Sequence, residues 1–127
     1  MRWMMILVLA AAPVAAQDAA QDAAQDAAQD WAARDGDMPF DEATLVDRLT
    51  GETLTFFDDG ESYYYPDGRY TYTYADDGGT GYGHYRFKAD SVVCVDFVTG
   101  FSRCDRFVLN DDRLVVQTER GERFPVR

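Results

Sequence analysis

Histidine and cysteine are almost missing from this sequence: His84 is the one imidazole, and Cys94 and Cys104 are the two thiols. A single histidine cannot assemble a His/Cys metal cluster. Any Ser-His-Asp arrangement has to run through His84, which stands between glycine and tyrosine on the outward side of an expected strand. No nucleophile-elbow sequence occurs, and no glycine loop of the phosphate-cradling kind. Long apolar runs are lacking as well. The one in MRWMMILVLAAAPVAA extends over about ten residues, too few to cross a bilayer. Positive charge is scarce: 12 Lys+Arg stand against 23 Asp+Glu, a net charge of −11. Nucleic acid and anionic membrane surfaces are poor partners for such a chain. The expectation is a protein that is not an enzyme, with no catalytic residue, metal ligand or cofactor to assign.

The segment 1–16 has a basic residue, Arg2, then an apolar stretch, then small residues. Val14-Ala15-Ala16 fits a signal-peptide cleavage site, so the mature chain is expected to begin at Gln17 and to be periplasmic or secreted. No cysteine lies near that site to carry a lipid, so no stable membrane anchor is expected after cleavage. Residues 17–37 read as an acidic Ala/Gln/Asp spacer, with QDAA three times over 17–28. Asp18, Asp22, Asp26 and Asp30 repel at i,i+4 spacing, and a partly helical, solvated spacer follows. Trp31 is either a loosely packed linker aromatic or an anchor for a partner.

Residues 38–127 read as one small β domain. Pro39 to Gly51 is expected to form a short helix capped by Asp41, with Leu45, Val46 and Leu49 on its apolar stripe and Phe40 stapled onto Val46 or its neighbour. It should lie against the mouth or open edge of a sheet. From Glu52 onward, strands are expected near 52–57, 61–65, 69–75, 82–88, 92–97, 101–108, 113–118 and 122–126. Asp58-Asp59-Gly60, Pro66-Asp67-Gly68, Val98-Thr99-Gly100 and Glu119-Arg120-Gly121 each suit a three-residue hairpin loop with glycine in the left-handed position. Counting outward pairs Leu54 with Tyr64, Phe56 with Ser62, Tyr64 with Tyr70, Val116 with Phe124, and Leu114 with Val126. The fold class is therefore all-β: an antiparallel meander of about eight strands, closing into a small barrel or coiled sandwich, preceded by one short helix. The third turn lies midway between Cys94 and Cys104 and places them opposite each other, so a cross-strand disulfide is expected. A redox pair usually has a C-x-x-C spacing instead.

Gly83-His84-Tyr85-Arg86-Phe87 followed by Val92-Val93-Cys94 resembles the G-x-[Trp/Tyr]-x-apolar…apolar-Cys pattern of small exported β-domain proteins of proteobacteria. The resemblance covers about a dozen residues and implies a small exported β domain without implying an activity.

Eight tyrosines between Tyr63 and Tyr85 are the most unusual feature. Core packing explains aromatics in strands, and a tyrosine-lined platform or cavity is the functional alternative. Leu54, Phe56, Tyr64, Tyr70, Tyr72 and Tyr74 fall on one face of the sheet. Tyr63 and Tyr65 fall on the other, among threonines and Glu61, with Arg69 opposite Tyr65. A ligand site at Tyr63, Tyr65 and Arg69 is the candidate; the alternative is that the helix covers them with Leu45 and Leu49. Asp58-Asp59 with Glu61, Asp76-Asp77 and Asp111-Asp112 are turn acids that could bind calcium weakly, without the spacing of a calcium loop. In the cysteine hairpin both faces carry charge: Val92, Cys94, Asp96, Ser102, Cys104 and Arg106 on one, Val93, Val95, Phe97, Phe101, Arg103 and Asp105 on the other. Either choice turns an arginine and an aspartate inward, and the sequence leaves the choice open. The functional expectation is an accessory or binding domain for a small molecule, a glycan or a cationic protein. The alternative is an inhibitor of a secreted cationic enzyme such as a lysozyme.

Overall fold

Strand after strand in this chain ends in residues that permit only a tight reversal, and the outcome is a meander. A computed structural model describes residues 31–127; the expected signal segment and the QDAA repeats lie outside the described residues. A two-residue strand β1 (Met38–Pro39) and a helix α1 (Glu42–Leu49) come first. Then follow β2 (Thr53–Thr55), β3 (Glu61–Tyr64), β4 (Arg69–Thr73), β5 (Thr80–Lys88), β6 (Val92–Phe97), β7 (Ser102–Asn110), β8 (Arg113–Thr118) and β9 (Arg123–Pro125). β2 to β9 pair antiparallel in sequence order and curl strongly into a half-barrel, with β1 added beside β7. Its two ends touch at one isolated bridge, Phe56 with Val126, supported by the Arg127 N–H donating to the Thr55 carbonyl at 2.8 Å.

Three of the four expected glycine turns form as read. Gly68, Gly100 and Gly121 have φ of 94°, 91° and 81°, inside loops closed by Tyr65/Arg69, Phe97/Phe101 and Thr118/Glu122. The first turn differs. Asp59, not Gly60, takes the left-handed conformation, at φ 68°, and Phe56 and Gly60 close the loop. Leu54 therefore faces Ser62 rather than Tyr64, and Phe56 is not paired with Ser62. The reason is steric. A Cβ at residue 60 would lie 2.3 Å from the Tyr72 hydroxyl, so any larger residue there has to displace that side chain. Aspartate tolerates the left-handed position. Because the pairing moves by two residues, each side chain keeps its face, and Tyr64 still pairs with Tyr70.

The concave face carries the core: Leu54, Tyr64, Tyr70, Val93, Val95 and Phe107 pack with Leu114 and Val116. Tyr64 makes edge-to-face contacts with Tyr70 and Tyr85, each at 5.2 Å between ring centres. The helix fills the hollow of the sheet: Leu45 and Leu49 are fully buried in this same cluster. Asp41 caps the helix, accepting from the Thr44 N–H at 2.8 Å, and Gly51 leaves it at φ 78°. It begins at Glu42 rather than Pro39 because Met38 and Pro39 pair with Leu109 and Val108 of β7, and the Phe40 N–H donates to Ser91 Oγ at 2.9 Å. Cys94 and Cys104 stand directly opposite each other and are joined by a disulfide, as their spacing predicts.

Candidate functional site

The alternation of β7 decides what the sequence left open. Val93 pairs with Asp105 and Val95 with Arg103, and both valines belong to the core cluster. Arg103 and Asp105 therefore point inward, and the disulfide lies on the convex side. The two charged residues line a cavity of about 160 Å³ whose walls include Phe56, Tyr72, Tyr74 and Phe124, with Asp58 and Thr118 beside them. A wider hollow of about 580 Å³ shares Arg103, Asp105, Thr118 and Phe124 and extends toward Phe101 and Glu119.

Arg103 is fixed but incompletely paired. Its Nη2 donates to the Tyr70 hydroxyl at 3.1 Å, and that hydroxyl shares a 2.8 Å hydrogen bond with Ser62 Oγ. The guanidinium carbon sits 5.7 Å from the centre of the Tyr72 ring and 5.8 Å from that of Phe97. Nε lies 3.2 Å from Asp105 Oδ2 without forming an aligned hydrogen bond. Asp105 Oδ1 is buried and has no hydrogen-bond partner among the described residues. Burial pushes the Asp105 carboxyl up to about 6; Arg103 opposes the shift and Glu119 adds to it. Burial likewise raises the phenols of Tyr64, Tyr70 and Tyr72.

No family model, curated protein or solved structure matches this chain. What the protein can do is read from its own geometry.

The residues singled out from the sequence form a separate patch. The Tyr63 and Tyr65 rings meet edge-to-face at 4.2 Å, and the Arg69 guanidinium lies 4.5 Å from the centre of the Tyr65 ring. All three sit on the convex face, with both rings half-buried. The helix does not cover them, because Leu45 and Leu49 pack on the opposite face. Arg69 Nε donates to Asp67 at 2.8 Å, so part of its hydrogen-bonding capacity is already used. The Tyr85 hydroxyl donates to the Tyr65 carbonyl at 2.7 Å and ties the patch to β5.

The acidic pairs serve the backbone. Asp59, Asp76, Asp77, Asp111 and Asp112 all have positive φ, and Asp58 Oδ1 accepts from the Gly60 N–H. Among the described residues, no group of three His, Cys, Asp or Glu side chains is arranged to hold a metal. His84 is exposed on the convex side, across from Asp96.

A second polar cluster fastens the start of the domain. Arg123 grips Asp37 in a fork at 2.7 and 2.8 Å, while Asn110 and Gln117 donate to the same carboxylate at 2.8 and 2.9 Å. Hydrogen bonding from Arg123 holds the Asp37 carboxyl well below the usual carboxylate range, against the opposing effect of burial. The sequence offered little sign of this cluster, since its members are spread from residue 37 to residue 123.

Proposed function

We propose that this chain is an exported, non-enzymatic binding module of the periplasm or cell exterior, and that its ligand enters the cavity above Arg103 and Asp105. The observation that carries the reading is that buried, incompletely paired couple at the foot of an aromatic-walled hollow. Ligand sites are concave and largely apolar, with a few convergent polar groups. The cavity is about 160 Å³, below the roughly 300–1,000 Å³ of sites for larger small molecules. It suits a single ring or short chain: a small metabolite, one unit of a glycan, or one side chain of a protein partner. Tyr74, Phe101 and Phe124 are exposed around the opening and add contact area.

The test is a ligand screen by protein-observed NMR on the mature protein, with Tyr72→Ala and Phe124→Ala as controls. Saturable shifts confined to β4, β7 and β8, and lost in both variants, support the reading. Shifts confined to Tyr63, Tyr65 and Arg69 move the site to the convex patch, and the double change Tyr63→Ser/Tyr65→Ser then has to abolish them.

Inhibition of a cationic enzyme is the second reading. It is favoured by the β6–β7 hairpin tip, where Val98 is 73% and Phe101 57% exposed beyond a disulfide staple. An acidic protein presenting a stiff apolar tip associates quickly with a basic target. A lysozyme panel at low salt measures this; unchanged lysozyme activity across the panel removes the reading.

A further inference from the structure

Resting on the binding-module reading, we infer that the cavity above β7 is a seat for a small free α-amino acid, with its ammonium at Asp105, its carboxylate at Arg103 and its side chain against Tyr72, Tyr74 and Phe124. Arg103 and Asp105 are alternate residues of one strand and so stand on the same face, roughly 6–7 Å apart along the chain. That spacing presents a cation and an anion side by side to one ligand.

The pair is not self-sufficient. Asp37 and Arg123 show what a closed structural pair looks like in this molecule: a two-pronged fork with every prong at 2.8 Å or less. At Arg103 and Asp105 the approach is 3.2 Å and unaligned, and among the described residues Nε and Oδ1 both lack a hydrogen-bond partner. The Asp105 side chain is only 8% exposed, so bulk water cannot readily make good the deficit. Tyr70, itself held by Ser62, keeps Arg103 Nη2 engaged. An orphaned acceptor and an orphaned donor therefore persist together just beneath the floor of the cavity that their two residues line, so an occupant has to draw the side chains toward it.

The chemistry of the two groups selects the occupant. A lone organic cation meets the Arg103 charge, and a lone anion meets Asp105. A neutral sugar leaves two opposed charges answered only by hydroxyls. A zwitterion supplies charge-assisted hydrogen bonds to both. The volume of about 160 Å³ matches a small amino acid. Arg103, Tyr64 and Tyr70 face Asp105 from the sheet, Asp58 lines the cavity, and Glu119 lines the adjoining hollow. An arriving ammonium favours the ionised form of Asp105, so binding should strengthen between pH 5 and pH 7.5.

The experiment titrates the mature protein with L-alanine, D-alanine and L-serine, and in parallel with propionate, ethylamine and N-acetylglucosamine. The readouts are the Arg103 side-chain Nε–H resonance and calorimetry. The expected result is saturable binding of at least one amino acid that shifts the Arg103 signal, with propionate and ethylamine each at least about tenfold weaker. Asp105→Asn should weaken amino-acid binding by at least about tenfold and abolish its pH dependence. If that variant does not fold, the comparison of alanine with propionate and ethylamine decides by itself. Equal affinity for alanine, propionate and ethylamine, or binding of N-acetylglucosamine alone at this cavity, overturns the zwitterion inference and leaves the binding-module reading standing. No perturbation of Arg103 or Tyr72 by any probe at millimolar concentration overturns both.

Discussion

Asp105 carries a stability consequence whose sign can be worked out. Its folded pKa is raised from 3.8 to about 6, so between these values the folded state holds a proton that the unfolded state has released. Stability falls as pH rises through this window, by at most about 3 kcal/mol. Asp105→Asn should therefore be more stable than the native protein at pH 7.5, and the difference should vanish below pH 4; thermal melts across that range check it. A variant equally destabilised at both pH values would mean that the Arg103 contact outweighs the burial of the charge. That an inward arginine and aspartate had to exist in the cysteine hairpin is legible from residues 92–106. Which face they occupy is not, because each face also offers apolar side chains, and packing against Phe107 and the helix settles it. Thr118 is the direct cross-strand partner of Asp105 and Phe124 that of Val116, whereas the curl of the sheet carries Phe56, Tyr72 and Tyr74 across to Arg103, which no local pairing foretells.

Among the elements, the β2–β3 hairpin shows how a turn can be right in kind and displaced by one residue. Glycine marked the turn, but steric room for the Tyr72 hydroxyl claimed Gly60, and Asp59 took the strained position. Asp59→Gly should consequently be neutral or stabilising, by up to about 1 kcal/mol. Its exposed ion pair with Arg127 contributes little in opposition. Gly60→Ala should destabilise, by about 1–3 kcal/mol, and urea melts rank the two. If glycine at 59 costs more stability than alanine at 60, the observed register is wrong. The disulfide acts on the β6–β7 hairpin: joint replacement of Cys94 and Cys104 by serine should remove about 2–3 kcal/mol while preserving the fold. Denaturant midpoints with and without reductant measure it. Helix α1 was readable as far as its cap and its apolar stripe. Its docking place was not, because Leu45 and Leu49 name the helix face that is buried and say nothing of which sheet face receives it.

At the scale of the whole molecule, the Asp37 knot joins the stretch from Trp31 onward to β7, β8 and β9. Its carboxyl is depressed, so its contribution persists above the unfolded value and is lost only as pH falls through the lower folded one. Asp37→Asn should accelerate amide exchange over residues 32–37 by at least about tenfold at pH 7, leaving β5 and β6 unchanged; hydrogen-exchange mass spectrometry reads this directly. The meander itself is assembled from neighbours: every β2-to-β9 pairing joins strands adjacent in sequence, while among the described residues β1 beside β7 and the bridge from Phe56 to Val126 reach across. Local contacts form early and distant ones late. A chain emerging with its amino end first can thus zip each hairpin, and oxidise Cys94 with Cys104, while its closing partner has yet to arrive. The half-barrel then exists as an open ribbon until its final strand appears, and the cavity above Arg103, like the Asp37 knot, waits on that strand to acquire its shape.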